Sequence, residues 1–178
     1  GIPTNGYTVI FEKMLEGIEI QLGVDFLKNK EKYESICKKI VYTGPIDEFF
    51  NYKYGPLEWR SLKFEEKIYD SSFQGNCVIN HTSEDVNYTR TIEHKFFNYK
   101  NQKKSIVTFE YPQDWSIDKE KYYPVPDKKN KNLYFKYKKL IDEEKYIFCG
   151  RLADYQYYDM HQVIARSLKK FKMEVGNE

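Results

Sequence analysis

The most regular hydrophobic repeat in the chain lies near its end. Met160, Val163, Ile164, Ser167, Leu168 and Phe171 recur at spacings of three and four, which predicts a long C-terminal helix with one apolar face. Asp159 stands where an N-cap belongs, and Gln162 three residues on completes a capping-box pattern. Asn130 to Glu144 reads as a second helix, with Leu133, Tyr137, Leu140 and Ile141 on one face. A charged helical stretch is expected around Asn29 to Ser35, and a short helix from Ile46 to Tyr52 after the turn residues Thr43-Gly44-Pro45. Thr8 can cap another short helix that turns Phe11, Met14 and Leu15 inward and ends at Gly17.

Period-two patterns supply the strands. Ile18-Glu19-Ile20-Gln21-Leu22 alternates, and Ile40 to Tyr42 and Tyr146 to Cys149 are short apolar runs. The middle is β-rich: Leu57 to Tyr69, Asn76 to His81, Thr89 to Lys95 and Ser105 to Tyr111 are separated by Gly, Asn, Asp and Ser clusters. The sum is an α+β fold, a mainly antiparallel sheet with flanking helices and a long C-terminal helix. No repeat or low-complexity linker divides residues 1–178, so one domain is expected.

Composition narrows the function. The 29 basic and 27 acidic residues nearly balance, which argues against a nucleic-acid binder. Seventeen Tyr and 12 Phe make the chain unusually aromatic, suited to half-buried sheet faces, to sugar stacking or to hydroxyl contacts with phosphate. No apolar run is long enough for a membrane span. Cys37, Cys77 and Cys149 are odd in number and far apart, and read as buried thiols of a reduced, cytoplasmic protein, with no zinc site. The opening Gly1-Ile2-Pro3-Thr4 lacks an initiator methionine, as expected of a piece of a longer protein.

Candidate chemistry concentrates between Gly150 and Met160. This stretch sets one arginine, two acids and three tyrosines between a predicted strand and a predicted helix. Such a turn is a common phosphate site, because a helix N-terminus attracts anions. It is equally a capped helix with a tyrosine-rich lead-in. The glycine-rich dinucleotide turn, the Walker loop, the Gly-x-Ser-x-Gly elbow and the His-Glu-x-x-His pattern are all missing, so the chain has no self-sufficient catalytic motif. On the residues alone, Arg90 is a surface cation on a strand, Arg60 can pair with Glu58 or Glu65, and His94 is a hydrogen-bonded strand residue.

Several segments together resemble the C-terminal portion of the UDP-galactopyranose mutase family. They are Ile2-Pro3 with Gly6-Tyr7-Thr8, Tyr42 to Phe50, Leu57 to Glu65, Phe73 to Asn80, Tyr88 to Phe96, Tyr122-Tyr123-Pro124 and Gly150 to Met160. They fall in order along nearly the whole chain. The resemblance implies a flavin-dependent isomerase that interconverts UDP-galactopyranose and UDP-galactofuranose through a flavin N5–sugar adduct, with reduced FAD as cofactor. It implies that Arg90 contacts the diphosphate and that Tyr157 and the Tyr122–Tyr123 pair supply hydroxyls, Tyr122 favoured of the two. Arg151, Asp159 and Met160 match positions beside the flavin, with Arg90 and Arg151 as the catalytic cations. Arg60 and Asn80 match positions lining the same cleft. The same resemblance places the flavin turn and a helical uridine-gripping region upstream, as partners of this chain in a longer protein that can be a homodimer. The isolated chain is then expected to fold, to hold no flavin and to be inactive.

Two other readings stay open at this point. One is a stand-alone module that grips a glycan or nucleotide sugar with its aromatic residues. The other is a different enzyme of the flavin amine-oxidase-like group.

Overall fold

The computed structural model describes residues 2–97 and 102–176. The chain forms two compact units, Gly1–Val24 with Leu62–Asp114, and Asp25–Ser61 with Trp115–Glu178. The α+β expectation holds, with antiparallel pairing dominating the strands.

In the first unit, α1 (Thr8–Met14) precedes the strands β2 (Trp59–Tyr69, of which residues 62–69 belong here), β3 (Val78–Asn80), β4 (Arg90–Glu93) and β5 (Ser105–Asp114). Their order is β3-β4-β5-β2. In the register, Asn80 stands opposite Arg90 and Arg90 opposite Glu110. Val107 and Phe109 are buried, and Phe73 and Tyr88 meet the Phe109 ring edge-on. Buried Glu93 gathers the loop before β3. It accepts from the N–H groups of Phe73, Gln74 and Gly75 at 3.0, 2.7 and 3.1 Å, and from Ser72 and Ser105 Oγ at 3.1 and 2.6 Å.

Three expectations fail in this unit. Thr8 is the first helical residue of α1 and makes no side-chain cap, and Phe11 and Met14 face solvent instead of a core. Ile18 to Leu22 forms no strand: the alternation is there, but among the described residues no partner strand offers a ladder, and Ile18, Ile20 and Leu22 are exposed. The strand expected to reach Lys95 stops at Glu93, where His94–Phe97 tightens into a 3-10 turn and His94 Nε2 bonds Thr108 Oγ1 at 2.7 Å.

The second unit contains α2 (Lys30–Ile36), β1 (Ile40–Tyr42), α3 (Ile46–Phe49), the first residues of β2, β6 (Tyr123–Pro124), α4 (Lys128–Lys138), β7 (Tyr146–Phe148) and α5 (Met160–Val175). β1 and β7 pair in parallel, Ile40 to Tyr146 through Tyr42 to Phe148. The core is aromatic: Tyr42, Phe49, Trp59, Tyr137, Tyr146, Phe148 and Tyr155 are buried with Ile40, Ile46, Leu57 and Ala153. The helix expected from Asn130 begins earlier, because the Asp127 carboxylate accepts from the Asn130 N–H at 2.7 Å and caps α4.

Tyr137 is fully buried and ties α4 to the turn before β2. Its hydroxyl donates to Gly55 O at 2.7 Å and accepts from Tyr54 N–H at 2.8 Å. Tyr137→Phe leaves both main-chain groups without that partner, and urea denaturation should show a loss of about 1–3 kcal/mol. An unchanged midpoint would mean that the two bonds add nothing to stability.

Among the described residues no helix is long and apolar enough to cross a membrane. Cys149 is buried, whereas Cys37 and Cys77 are only half-buried, and all three thiols are free. The apolar face predicted for α5 exists but is uncovered: Met160, Ile164, Leu168 and Phe171 are 64, 60, 57 and 61% exposed. Beside it, a cavity of about 500 Å³ is lined by Val41, Ile147, Cys149, Val163, Phe171 and Val175 among others.

Candidate functional site

The β7–α5 connection is shaped by two residues in left-handed backbone. Gly150, at φ +111°, takes a conformation that side chains disfavour, and lets the chain leave β7 sharply. The turn closes with Asp154 N–H on Gly150 O at 2.8 Å and Gln156 N–H on Arg151 O at 3.2 Å. Tyr155 holds φ +48° despite its Cβ. Its buried hydroxyl compensates by accepting from Val125 N–H at 3.1 Å and donating to Glu58 O at 2.5 Å. Burial drives the Tyr155 hydroxyl well above its ordinary pKa, so it remains a protonated donor.

This loop presents Arg151 and Tyr157 on either side of its buried centre. The Arg151 guanidinium lies 4.8 Å from the centre of the Tyr157 ring and 5.3 Å from that of Tyr123. The two rings are 5.5 Å apart. Arg151 Nη2 also donates to the Tyr122 carbonyl oxygen. Tyr122 N–H in turn donates to Arg60 O at 3.1 Å, and Arg60 stands opposite Tyr123 in the β2–β6 register. Arg60 is exposed, and its expected partners are engaged elsewhere, Glu58 with Lys129 and Glu65 with Lys63. Neither Arg60 nor Arg151 has a carboxylate partner among the described residues.

The structure thus brings Arg60, Tyr122, Tyr123, Arg151 and Tyr157 together, with Asp159 and Met160 following directly at the start of α5. The capping box is present, and Asp159 N–H donates to Gln162 Oε1 at 2.8 Å. It is the Tyr123 ring that enters the cluster, whereas Tyr122 is seen contributing its main-chain groups. The guanidinium and the two rings form a triangle, and a cation set against two rings is held in place without being neutralised. Its N–H groups stay suited to phosphate, which a guanidinium fork matches.

Arg90 and Asn80 belong to the first unit and form a row across three strands with Glu110. Arg90 Nε donates to Asn80 Oδ1 at 3.0 Å and Nη1 to Glu110 Oε2 at 3.3 Å. The Glu110 side chain is 8% exposed and that of Arg90 is 40% exposed. These bonds use two of the five N–H donors of a guanidinium, so the remainder can serve an anion. Glu110 was not singled out by the sequence, because cross-strand register is not written in any local pattern. Among the described residues no cluster of three or more His, Cys, Asp or Glu is placed to hold a metal ion.

Fold and site together define an α+β protein with an arginine- and tyrosine-lined strand–helix turn. The family model described as UDP-galactopyranose mutase matches residues 1–157. The chain belongs to that family. It is 38% identical over 186 residues to a Klebsiella pneumoniae protein named probable UDP-galactopyranose mutase, a match covering 100% of this chain and 47% of the relative. It is 36% identical to an Escherichia coli dTDP-fucopyranose mutase, over 99% of the chain and 49% of that protein. A Mycoplasma genitalium UDP-galactopyranose mutase is 35% identical, over 96% of the chain and 46% of the relative. The chain spans about half the length of the curated relatives it matches.

Proposed function

We propose that this chain is the C-terminal portion of a mutase that interconverts UDP-galactopyranose and UDP-galactofuranose with reduced FAD. The observation that carries the reading is Arg151, set against the rings of Tyr123 and Tyr157 and without a carboxylate partner among the described residues. A nucleotide sugar offers what such a cluster recognises, a diphosphate whose charge grows as the glycosidic oxygen departs.

The donor set also fits part of a flavin site. Arg151 and the N–H groups at the start of α5 suit an anionic ring or its phosphates, and Asp159 and Met160 stand at that helix end. The chain has no glycine-rich turn, so these residues complete a cofactor site whose larger share lies in the half of the protein outside this sequence. The same half is our choice for the cover of the exposed α5 face, because a parallel pair such as β1–β7 ordinarily lies within a larger buried sheet. Reduced flavin supplies the nucleophile for the anomeric carbon when bound. The chain's own residues bind and orient. Arg90 neutralises the leaving diphosphate, and the Tyr157, Tyr122 and Tyr123 hydroxyls donate to it without adding charge. Asn80 holds Arg90, Arg60 lines the turn beside Tyr123, and Arg151 serves the diphosphate as well as the charge on the cofactor side.

UDP titrated into the full-length protein tests this reading. Arg151→Ala should weaken UDP binding on the order of tenfold to a hundredfold, the worth of one charge-assisted contact. Unchanged affinity would remove the stacked cluster from the ligand site. The E. coli relative acts on a dTDP sugar by name, so dTDP belongs in the same titration, with UDP expected to bind more tightly.

A further inference from the structure

We propose that Asp154 and Arg166 are a positioning pair that sets Arg151 and Tyr157 for ligand binding, an inference that rests on the nucleotide-sugar reading for its functional part. Asp154 lies midway along the loop, three residues from Arg151 on one side and three from Tyr157 on the other. It is 5% exposed. Arg166, on the second turn of α5, forks onto it, with Nε on Oδ2 at 2.9 Å and Nη2 on Oδ1 at 3.0 Å. The next residue, Tyr155, is pinned in left-handed backbone by its hydroxyl bonds to Val125 and Glu58. The loop is therefore fixed at two adjacent residues by two different elements, α5 through Arg166 and β6 with its neighbour through Tyr155.

The geometry gives the fork a directional task. A bidentate guanidinium–carboxylate pair fixes angle as well as distance. Rotation of the Asp154 peptide would move Arg151 and Tyr157 and draw them away from Tyr123. The pair touches no ligand in this account. It acts through Arg151.

Two measurements decide the matter. In the full-length protein labelled with 15N-arginine, the Nε–H signal lost in Arg151→Lys identifies Arg151, one of four arginines in this chain. The Arg151 signal should carry a ring-current shift from Tyr123 and Tyr157. Asp154→Asn, nearly isosteric and the milder change, should move it towards the free-arginine position. An unmoved Arg151 signal would overturn the pair's role.

The second measurement is UDP affinity of the full-length protein. Arg166→Met should weaken it about ten- to a hundredfold in the wild-type background, and less than about twofold once Arg151→Ala is present. Equal losses in both backgrounds, or no loss in either, would mean a purely structural pair and sink the proposal. If Arg166→Met does not fold, Asp154→Asn replaces it in the same cycle with the same two outcomes. Should the wild type fail to bind UDP, the mutase reading falls, while the arginine spectrum still decides whether the pair positions Arg151.

Discussion

Arg90→Ala in the full-length protein is expected to lower mutase turnover on the order of a thousandfold and to leave flavin content unchanged. The reason is differential: a guanidinium on a departing diphosphate is worth more as the leaving charge develops than when substrate first binds. Each 1.4 kcal/mol or so lost from that stabilisation costs about tenfold in rate. The structure adds a reason why the position is demanding. Asn80 and Glu110 hold Arg90 from the strands on either side, so its orientation is set before any ligand arrives. Arg90→Lys should rescue only part of the loss. An ammonium keeps the charge but cannot bridge Asn80 and Glu110 while offering a fork. Near-normal turnover in the alanine variant would leave Arg90 as a sheet residue paired with Glu110. Turnover and flavin absorbance of purified variants provide the check.

Glu93→Ala destabilises the protein by about 3–5 kcal/mol, the cost expected when one member of a buried charged network is removed. Three main-chain N–H groups and two hydroxyls lose their acceptor, and Lys95, whose side chain is 11% exposed, loses the carboxylate 3.7 Å away. Burial alone would raise the Glu93 pKa. The bonds from Ser105, Gln74, Phe73 and Ser72 outweigh it and pull the carboxyl down to about 2. A depressed carboxylate stabilises the fold fully above its unfolded pKa of about 4.5. That contribution drains away as pH falls from about 4.5 to about 2 and amounts to roughly 3 kcal/mol. Urea midpoints should therefore differ widely between wild type and Glu93→Ala at neutral pH and converge towards pH 2. A constant gap across that range would show that the carboxylate's charge is not what holds the loop.

What the sequence made legible was local. α5 and its cap were readable because helical period and capping box are both contained within a few turns, and the antiparallel middle because its strands are bounded by turn residues. Ile18 to Leu22 misled, since alternation marks a strand only when another strand is there to pair with it. The apolar stripe on α5 showed which face is apolar, yet nothing in it says what covers that face. Arg151 and Tyr157 were found as residue types on a turn, and Arg60, Tyr122 and Tyr123 through the family resemblance, but the approach of Arg151 to both Tyr123 and Tyr157 joins segments far apart in the chain. Glu110 escaped for the same reason, and the Asp154–Arg166 fork because the turn before α5, not a sequence period, brings the two together.

We propose that the full-length protein changes the ring size of a UDP-sugar on a reduced flavin. The most direct test follows UDP-galactofuranose by chromatography with the full-length protein, once reduced with dithionite and once oxidised. The account predicts conversion to UDP-galactopyranose in the reduced sample and little in the oxidised one. A reduced, flavin-loaded protein that binds UDP but leaves the ring size of the sugar unchanged would contradict it.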